Sequence, residues 1–413
     1  MLITACMKWL IEGVLDQALI EVVLLTAGIA FIVLKKGLRL NVIAMPWLLY
    51  IINIVMSLLI NGSTFGLWGR ALVTILITTF VFFVDAPLEK YWLIMKWVLG
   101  LGCLTAGMIF IHFLMGAGFN QLYFPLLSET AREMANLYSR YGYYFGLLYN
   151  PHEPAGLVSF AIAAIIIWKQ LSGTRRKKWL YAVVGVLAVA LLLTGKKAIF
   201  VCMILTLTLT VLILYGSRKQ VLRGIAFLLG LIVLVVLFVV IALRYPEIGV
   251  FARFSEFLQQ IAMGQDIDDS GRFALYVHAI AEWEENKLFG IGWRHFNKLT
   301  TTKFNMYRSH EVNCDYLQWL CETGIVGFML SMIPVAIMAY RTMFVARKMI
   351  RRARNRRAQW IMLMAVHIQV FTLIYAFVEI PFFDIVYYSI YIISCIVINS
   401  AYSRRRPIYE QRR

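Results

Sequence analysis

The most constraining feature of the chain is a succession of apolar runs, each long enough to cross a bilayer as a helix. At about 1.5 Å per residue, roughly 20 apolar residues cover the ~30 Å hydrocarbon core. The runs lie near residues 17–34, 42–60, 67–84, 91–115, 155–171, 179–194, 198–215, 225–243, 325–344, 360–378 and 384–402. Residues 1–16 form either an interfacial helix or part of a further element. The sequence therefore predicts an all-α polytopic integral membrane protein with about 11–12 transmembrane helices.

Composition excludes an ordinary soluble protein. Hydrophobic residues make up 61% of the chain and charged residues 15%, against roughly 45–50% and about 25% in soluble domains. Glu12, Asp16 and Glu21 interrupt the first apolar run, which argues against a cleavable signal peptide. The cysteines are scattered, mostly in apolar runs, so neither a disulfide framework nor a metal cluster is predicted. Without a repeat or linker, residues 1–413 are treated as a single transmembrane domain.

The basic residues indicate how the predicted helices are oriented. Most of the formal net charge of +18 lies in short blocks between apolar runs, near residues 35–39, 175–178, 218–223, 347–357 and 404–406. Counting the spans places these blocks on one side, which the positive-inside rule makes cytoplasmic. Their expected partners are anionic membrane lipids rather than nucleic acid. The segments predicted outside are an outer loop at 116–154, a large outer loop at 244–320 and a short connection at 379–383.

The large outer loop contains two predicted helices. Apolar residues from Phe273 to Asn286 recur with helical spacing, as in a helix lying on the membrane surface. The residues that share this apolar face are Phe273, Tyr276, Val277, Ile280 and Trp283. A second helix is predicted to run from His310 into the span 325–344, which would align His310 with Asn313.

Lys196 and Lys197 break the topology pattern, because they occupy a tight turn between two spans on the predicted outer face. One interpretation is that they snorkel to headgroups or pair with acids elsewhere in the fold. The other is an electropositive pocket for an anionic group such as a diphosphate. Arg70, near the outer end of its span, is a candidate to join that pocket.

A second candidate cluster combines Arg140 with the run Asn150-Pro151-His152-Glu153-Pro154, at the outer mouth of the following span. A His-Glu pair between two prolines is rigid and polar where the chain enters lipid. The same run is also explained as a helix start with an acidic first turn.

A third candidate cluster lies in the large outer loop and contains Arg272, Arg294, His310 and Glu311. An imidazole or a carboxylate here would suit proton transfer from a sugar hydroxyl. The nearby acidic run at 266–269 has carboxylates that could bind a divalent cation. Nucleotide sugars are cytosolic, however, and this segment is predicted outside. A solvated acidic turn is favoured, and no metal site is expected.

Three stretches resemble motifs of a known family. Residues 193–198 are similar to a turn reading Thr-Gly-Ser-Arg-Gly, with Lys197 at the arginine position. Residues 270–296 have an arginine, Arg272, an aromatic residue four positions later, and Gly-x-Gly before a phenylalanine. Residues 313–327 are similar to a stretch that begins His-Asn in the family. In this order, the motifs resemble the superfamily of O-antigen polymerases, O-antigen ligases and bacterial O-oligosaccharyltransferases.

The chain departs from the family pattern at the histidine that serves as the proposed catalytic base. Asn313 and Cys314 stand where the family has His-Asn, and His310 lies one predicted helical turn earlier. His310 is therefore expected to replace the missing histidine. A weaker likeness over 146–155 has His152 at an asparagine position.

The resemblance implies a metal-independent, inverting glycosyltransferase of the GT-C type in the bacterial cytoplasmic membrane, with its site on the outer or periplasmic face. Catalysis would involve His310, Arg272, Glu311 and Glu153, with the base at His310 and Glu311 or Glu153 as its competitors. Diphosphate binding would involve Lys197, Lys196, Arg140, Arg272 and Arg294. Acceptor binding or structural support would involve Asn313, Asp315, His152 and Arg70.

The favoured activity is polymerisation of undecaprenyl-diphosphate-linked oligosaccharide repeat units into O-antigen, capsular polysaccharide or exopolysaccharide. A chain-length regulator protein is a possible partner. An O-antigen ligase, with lipid A core as acceptor, would use the same site. The alternative of another class is a lipid-linked oligosaccharide flippase, but a transporter should carry its ionisable residues near the bilayer midplane. Here the unusual charges cluster near the outer surface.

Overall fold

The computed structural model describes residues 17–36, 40–62, 65–172, 179–214, 240, 244, 271–304, 306, 309–350, 353 and 355–403. The predicted span near 225–243, the acidic run at 266–269 and residues 1–16 lie outside, or almost wholly outside, this part of the chain. Within it, every regular element is helical.

The described residues form fourteen α-helices, numbered in chain order. They are α1 (Gln17–Lys36), α2 (Trp47–Ile60), α3 (Phe65–Phe83), α4 (Tyr91–Met115), α5 (Ala117–Tyr123), α6 (Glu129–Arg140), α7 (His152–Ser172), α8 (Trp179–Leu193), α9 (Lys197–Leu214), α10 (Arg272–Glu285), α11 (Phe296–Thr302), α12 (Asp315–Phe344), α13 (Arg356–Tyr375) and α14 (Ile385–Ser403). A short π-helical turn, Val345–Met349, extends α12.

The lengths and compositions of these helices confirm an all-helical polytopic membrane protein. In the described part of the chain, five stretches are long and apolar enough to cross a membrane: Leu88–Met115, His152–Ser172, Asp315–Met349, Arg356–Tyr375 and Ile385–Ser403. Four shorter apolar helices accompany them: Trp47–Ile60, Leu67–Phe83, Trp179–Leu193 and Lys197–Leu212. Each predicted span among the described residues therefore falls on a helix.

Helices α7, α13 and α14 form the centre of the bundle, because neighbouring helices cover most of their surfaces. Small residues allow close packing: a Cβ on Gly102 of α4 would lie 2.3 Å from the carbonyl oxygen of Leu157 in α7. Side-chain hydrogen bonds add to this packing, including one of 2.8 Å from Asn53 Nδ2 to Ser331 Oγ. Small residues and interhelical hydrogen bonds are the usual means of joining helices in lipid.

The predicted surface helix is present as α10. Leu275 and Ala279 are buried on the side that packs against α12. Three residues of the predicted apolar face, Phe273, Val277 and Ile280, are exposed. Tyr276, which was predicted on the same face, packs instead against the buried residues. This arrangement suits a helix with one face on the protein and another toward lipid.

The second predicted helix starts later than expected. It begins at Asp315, not at His310, because Asn313 has a positive φ of 58°. Cys314 is extended, so the helical hydrogen-bond pattern cannot run back through these residues. His310 and Asn313 therefore do not share a helix face. Further along α12, Gly324 has a non-helical conformation, and the Gly-x-Gly segment pairs with the backbone there through Gly292 N–H and Glu322 C=O at 2.8 Å.

The connections that were predicted on the outer side meet at one end of the bundle. Tyr144 N–H donates to the carbonyl of Leu193, which joins the 116–154 segment to the α8–α9 turn. Asp315 N–H donates to the carbonyl of Ala376, which joins the start of α12 to the connection at 376–384. The helix ends therefore bring four distant parts of the sequence together.

Candidate functional site

The α8–α9 turn places Lys196 at this end of the bundle. Gly195 in the turn has a φ of +71°, a left-handed conformation that favours glycine. A Cβ at this position would lie 2.3 Å from the Tyr143 ring. Glycine therefore allows the turn to pack directly against the tyrosine and fixes the position of the following lysine.

Lys196 is enclosed by aromatic and imidazole groups. Its Nζ lies 2.7 Å from His152 Nε2. The same ammonium lies 5.2 Å from the ring centroid of Tyr138 and 5.5 Å from that of Tyr143. Cation–π contacts at these distances are attractive. The lysine is thus held in place by residues of α6, α7 and the segment between them.

His152, the first residue of α7, links Lys196 to a carboxylate. Its Nδ1 lies 3.1 Å from Tyr375 Oη and 3.5 Å from Glu379 Oε1. Because an ammonium can only donate, Nε2 must accept, and the proton of a neutral ring then resides on Nδ1. The imidazole therefore connects a cation on one side to an anion on the other.

Arg272, the first residue of α10, completes the group. Its Nη2 donates to Glu379 Oε1 at 2.9 Å, and its Nη1 donates to the carbonyl of Val378 at 3.0 Å. The side chain of Glu379 is 9% exposed, whereas that of Arg272 is 33% exposed. Arg272, Glu379, His152 and Lys196 are named the Arg272 cluster below.

Burial and neighbouring charges oppose each other within the Arg272 cluster. Burial raises the pKa of Glu379, while Lys196 and Arg272 act to lower it. Burial lowers the pKa of Lys196 to about 8, although the Glu379 carboxylate opposes this shift. The ammonium is therefore close to titrating at mildly alkaline pH. Two cations around one carboxylate leave the cluster able to attract a further anion.

A second charged group lies beside the first. Arg294 has a positive φ of 57° and its N–H donates to Glu322 Oε2 at 2.7 Å. Its guanidinium donates to the carbonyl of Phe383 and lies 3.9 Å from Glu311 Oε1. Gln318 Nε2 donates to Glu311 at 2.6 Å and to Glu322 at 3.2 Å. These contacts, the Arg294 cluster, join the Gly-x-Gly segment to α12 and to the connection at 376–384.

Asp315 and Asn313 hold the backbone between the two clusters. The Asp315 carboxylate accepts from Phe382 N–H at 3.0 Å, so it anchors the connection at 376–384. The carbonyl of Asn313 accepts from Tyr276 Oη at 3.3 Å, which ties α10 to the start of α12. Both residues thus make structural contacts beside the site.

The structure brings some predicted residues together and leaves others apart. Lys196, His152 and Arg272 meet in one cluster, and Arg294 and Glu311 meet in the other. Four other predicted residues are exposed: Arg70, Arg140, Lys197 and His310. The backbone N–H of His310 donates to Thr300 Oγ1 at 3.0 Å. Glu153 is buried in the first turn of α7.

Sequence reasoning missed Glu379, whose carboxylate contacts Arg272 and His152. The sequence position of Glu379 could have marked it as a candidate, because a carboxylate lies there in a very short predicted outer connection, two residues before Pro381. Ionisable groups at such positions are costly without partners. Glu322 was also missed as a charged site residue, because in sequence it is one polar position in a helical segment. Among the described residues, no group of three His, Cys, Asp or Glu is placed to hold a metal ion.

Comparison with protein families gives a match that spans much of this site. A family model described as O-antigen ligase matches residues 182–332. Residues 182–332 are therefore similar to the O-antigen ligase family. The match covers the α8–α9 turn with Lys196, the start of α10 with Arg272, and the segment that contains Arg294, Glu311 and Glu322. It confirms the resemblance to the O-antigen ligase and polymerase superfamily. No curated protein matches the chain.

The matched segment does not contain the whole Arg272 cluster. His152 precedes residue 182 and Glu379 follows residue 332, so these two members come from outside the matched segment. The cluster is therefore assembled from the matched segment and from residues on either side of it in sequence.

Proposed function

We propose that the protein polymerises undecaprenyl-diphosphate-linked oligosaccharide repeat units into O-antigen, capsular polysaccharide or exopolysaccharide. The proposal rests on one structural observation: Arg272 and Lys196 belong to the same cluster at one end of a membrane bundle. The segment that contains both residues matches a family of glycan-transfer enzymes. On the proposed topology, this end faces the outer side of the bacterial cytoplasmic membrane. A diphosphate at the bilayer surface would meet both cations there.

The two cations would bind the diphosphate and stabilise the charge that develops on it as the glycan leaves. Donors held in place before the reaction are effective because no reorganisation is required in the transition state. Loss of one such donor typically costs about 10²–10³ in rate. The nearby exposed cations Lys197 and Arg140, together with Arg294, would extend the positive surface toward the substrate. The proposed transfer is inverting and needs no metal.

A hydroxyl of the acceptor glycan must lose a proton during the transfer. The sequence-derived candidates are His310, Glu311 and Glu153. His310 is exposed on the segment before α12, Glu311 is held by Gln318 beside Arg294, and Glu153 is buried. The three candidates therefore lie in three different environments.

An O-antigen ligase is the second candidate, favoured by the description of the matching family. In that case the same cations would bind the same donor, and the acceptor would be lipid A core instead of another repeat unit. A flippase of lipid-linked oligosaccharide would also bind a diphosphate. It would not form a new glycosidic bond.

These candidates are separated by one reconstitution. The purified protein in lipid nanodiscs is given only undecaprenyl-diphosphate-linked repeat unit, and products are separated by size. A ladder of multiples is expected for the polymerase, and its absence with folded protein and intact donor overturns that proposal. Lipid A core is then added, and a core-linked product identifies a ligase. Transbilayer movement of labelled donor in vesicles, without product, identifies a flippase.

A further inference from the structure

Glu379 is held at a fixed place in the connection between α13 and α14. Its N–H donates to the carbonyl of Tyr375 at 3.0 Å, which continues the last turn of α13. Its carbonyl accepts from Asp315 N–H at 3.3 Å, so the start of α12 packs against the same peptide. The position of the carboxylate is therefore set by two helices, not by a loose loop.

The two carboxylate oxygens of Glu379 have different surroundings. Oε1 accepts from Arg272 Nη2 at 2.9 Å and lies 3.5 Å from His152 Nδ1. Oε2 makes no hydrogen bond with the residues that the structure describes, and the side chain retains 9% exposure. One oxygen thus orients the group while the other is left to accept a proton.

Two other glutamates at this end, Glu322 and Glu311, have both carboxylate oxygens engaged. Glu322 Oε2 accepts from Arg294 N–H, and its Oε1 accepts from Phe296 N–H and Gln318. Glu311 Oε2 accepts from Gln318, while its Oε1 lies 3.9 Å from Arg294. Glu379 differs from both, because its Oε2 has no hydrogen bond from the described residues and lies in a cluster with the cations Arg272 and Lys196.

We propose that Glu379 is the proton acceptor for the hydroxyl that attacks the donor sugar. The proposal rests on the glycosyl transfer described above. The acceptor oxygen forms a bond to the anomeric carbon, and the bond from that carbon to the diphosphate oxygen breaks. The electron pair of the broken bond goes to the diphosphate, beside Arg272 and Lys196. The hydroxyl proton passes to Glu379 Oε2 and later leaves to water.

The charges around Glu379 agree with this role. Burial raises the pKa of its carboxyl and so makes it a stronger base, whereas Arg272 and Lys196 favour its ionised form. A general base positioned in this way typically contributes about 10²–10⁴ in rate. Arg272 holds Glu379 Oε1 and would also bind the leaving diphosphate. The contact between Arg272 and Glu379 would therefore place the base next to the leaving group.

The test uses E379Q in nanodiscs, with E285Q as the matched control. Glu285 is exposed, pairs with Lys303 at the far end of α10, and takes no part in the proposed site. Two quantities are measured: the dissociation constant for the lipid-linked repeat unit and kcat for chain extension. E379Q is expected to lose at least about 100-fold in kcat and to bind the anionic donor as well as the wild type or better. E285Q is expected to match the wild type in both.

The outcomes separate this inference from the proposed function. Wild-type protein that forms no glycosidic bond overturns the function. If the wild type is active and E379Q keeps more than about a tenth of its kcat, the proton-acceptor role of Glu379 is overturned and the proposed function stands. A fall in kcat that is matched by lost donor binding assigns Glu379 to holding Arg272 instead. E379D, which keeps a carboxylate, is expected to recover part of kcat; failure to exceed E379Q overturns the base.

Discussion

His152 Nε2 lies 2.7 Å from Lys196 Nζ, so the first residue of α7 accepts a hydrogen bond from the α8–α9 turn. The two residues are 44 positions apart, and only the turn lies in the segment matched by the family model. Through its other nitrogen, His152 faces Glu379 and Tyr375. The ammonium is thereby oriented from outside the matched segment.

Replacement of Arg272 by alanine should nearly abolish chain extension without reducing expression. Its guanidinium would lose contact with the leaving diphosphate, and a fall of about 10²–10³ in rate is expected. Arg272→Lys should recover only part of the rate, because an ammonium lacks the planar fork of a guanidinium. Product length is measured on gels, and R347A serves as the control. Arg347 is exposed in the π-helical turn after α12. Wild-type product length in R272A would exclude this role.

Donor binding should weaken as pH rises through the pKa of Lys196. Burial lowers that pKa to about 8, so the side chain is cationic below this pH and neutral above it. The dissociation constant for the lipid-linked repeat unit should rise by up to about tenfold per pH unit above the pKa. K196R should bind with little pH dependence in this range, since arginine stays protonated. An unchanged pH profile in K196M would show that another group titrates.

Loss of the His152 side chain should disturb donor binding through Lys196. H152F removes the acceptor for the ammonium while keeping an aromatic ring, so Lys196 loses its orientation. We expect the dissociation constant for the donor to rise about five- to tenfold, the effect of roughly one hydrogen bond of 1–1.5 kcal/mol. A double-mutant cycle with K196M checks the assignment. Additive effects of the two changes would mean that the residues act independently.

His310 provides a decisive comparison with Glu379. It lies on an exposed segment outside α12, and H310A is expected to retain most of the wild-type kcat. A fall of about 100-fold in H310A, with donor binding intact, would assign the base to His310. That result would also overturn the proton-acceptor role of Glu379.

Replacement of Gly195 by alanine should destabilise the protein. The residue has a φ of +71°, and a Cβ would lie 2.3 Å from the Tyr143 ring. Strain of this kind costs about 1–3 kcal/mol, to which the contact with the tyrosine adds. Thermal unfolding in detergent is measured beside G185A, a change in α8 where a Cβ meets nothing within 4 Å. Equal melting temperatures of the two variants would contradict the prediction.

The sequence by itself determined the fold class and much of the local structure. Hydropathy located the described spans because a helix in lipid must satisfy its own backbone and present apolar side chains. The period of 3.6 residues located α10 from Phe273 onward. The same reasoning failed before Asp315, because the positive φ of Asn313 is a backbone state that side-chain periodicity does not report.

Only the tertiary structure decided which charges share a site. Lys196 and Arg272 were candidates from their unusual positions, but nothing in the order of residues placed both beside one carboxylate. Glu379 follows Arg272 by 107 positions, and its role depends on how the end of α13 packs against the starts of α7, α10 and α12. Hydropathy and motifs are local properties of the chain, whereas the distance between charges is fixed by helix packing.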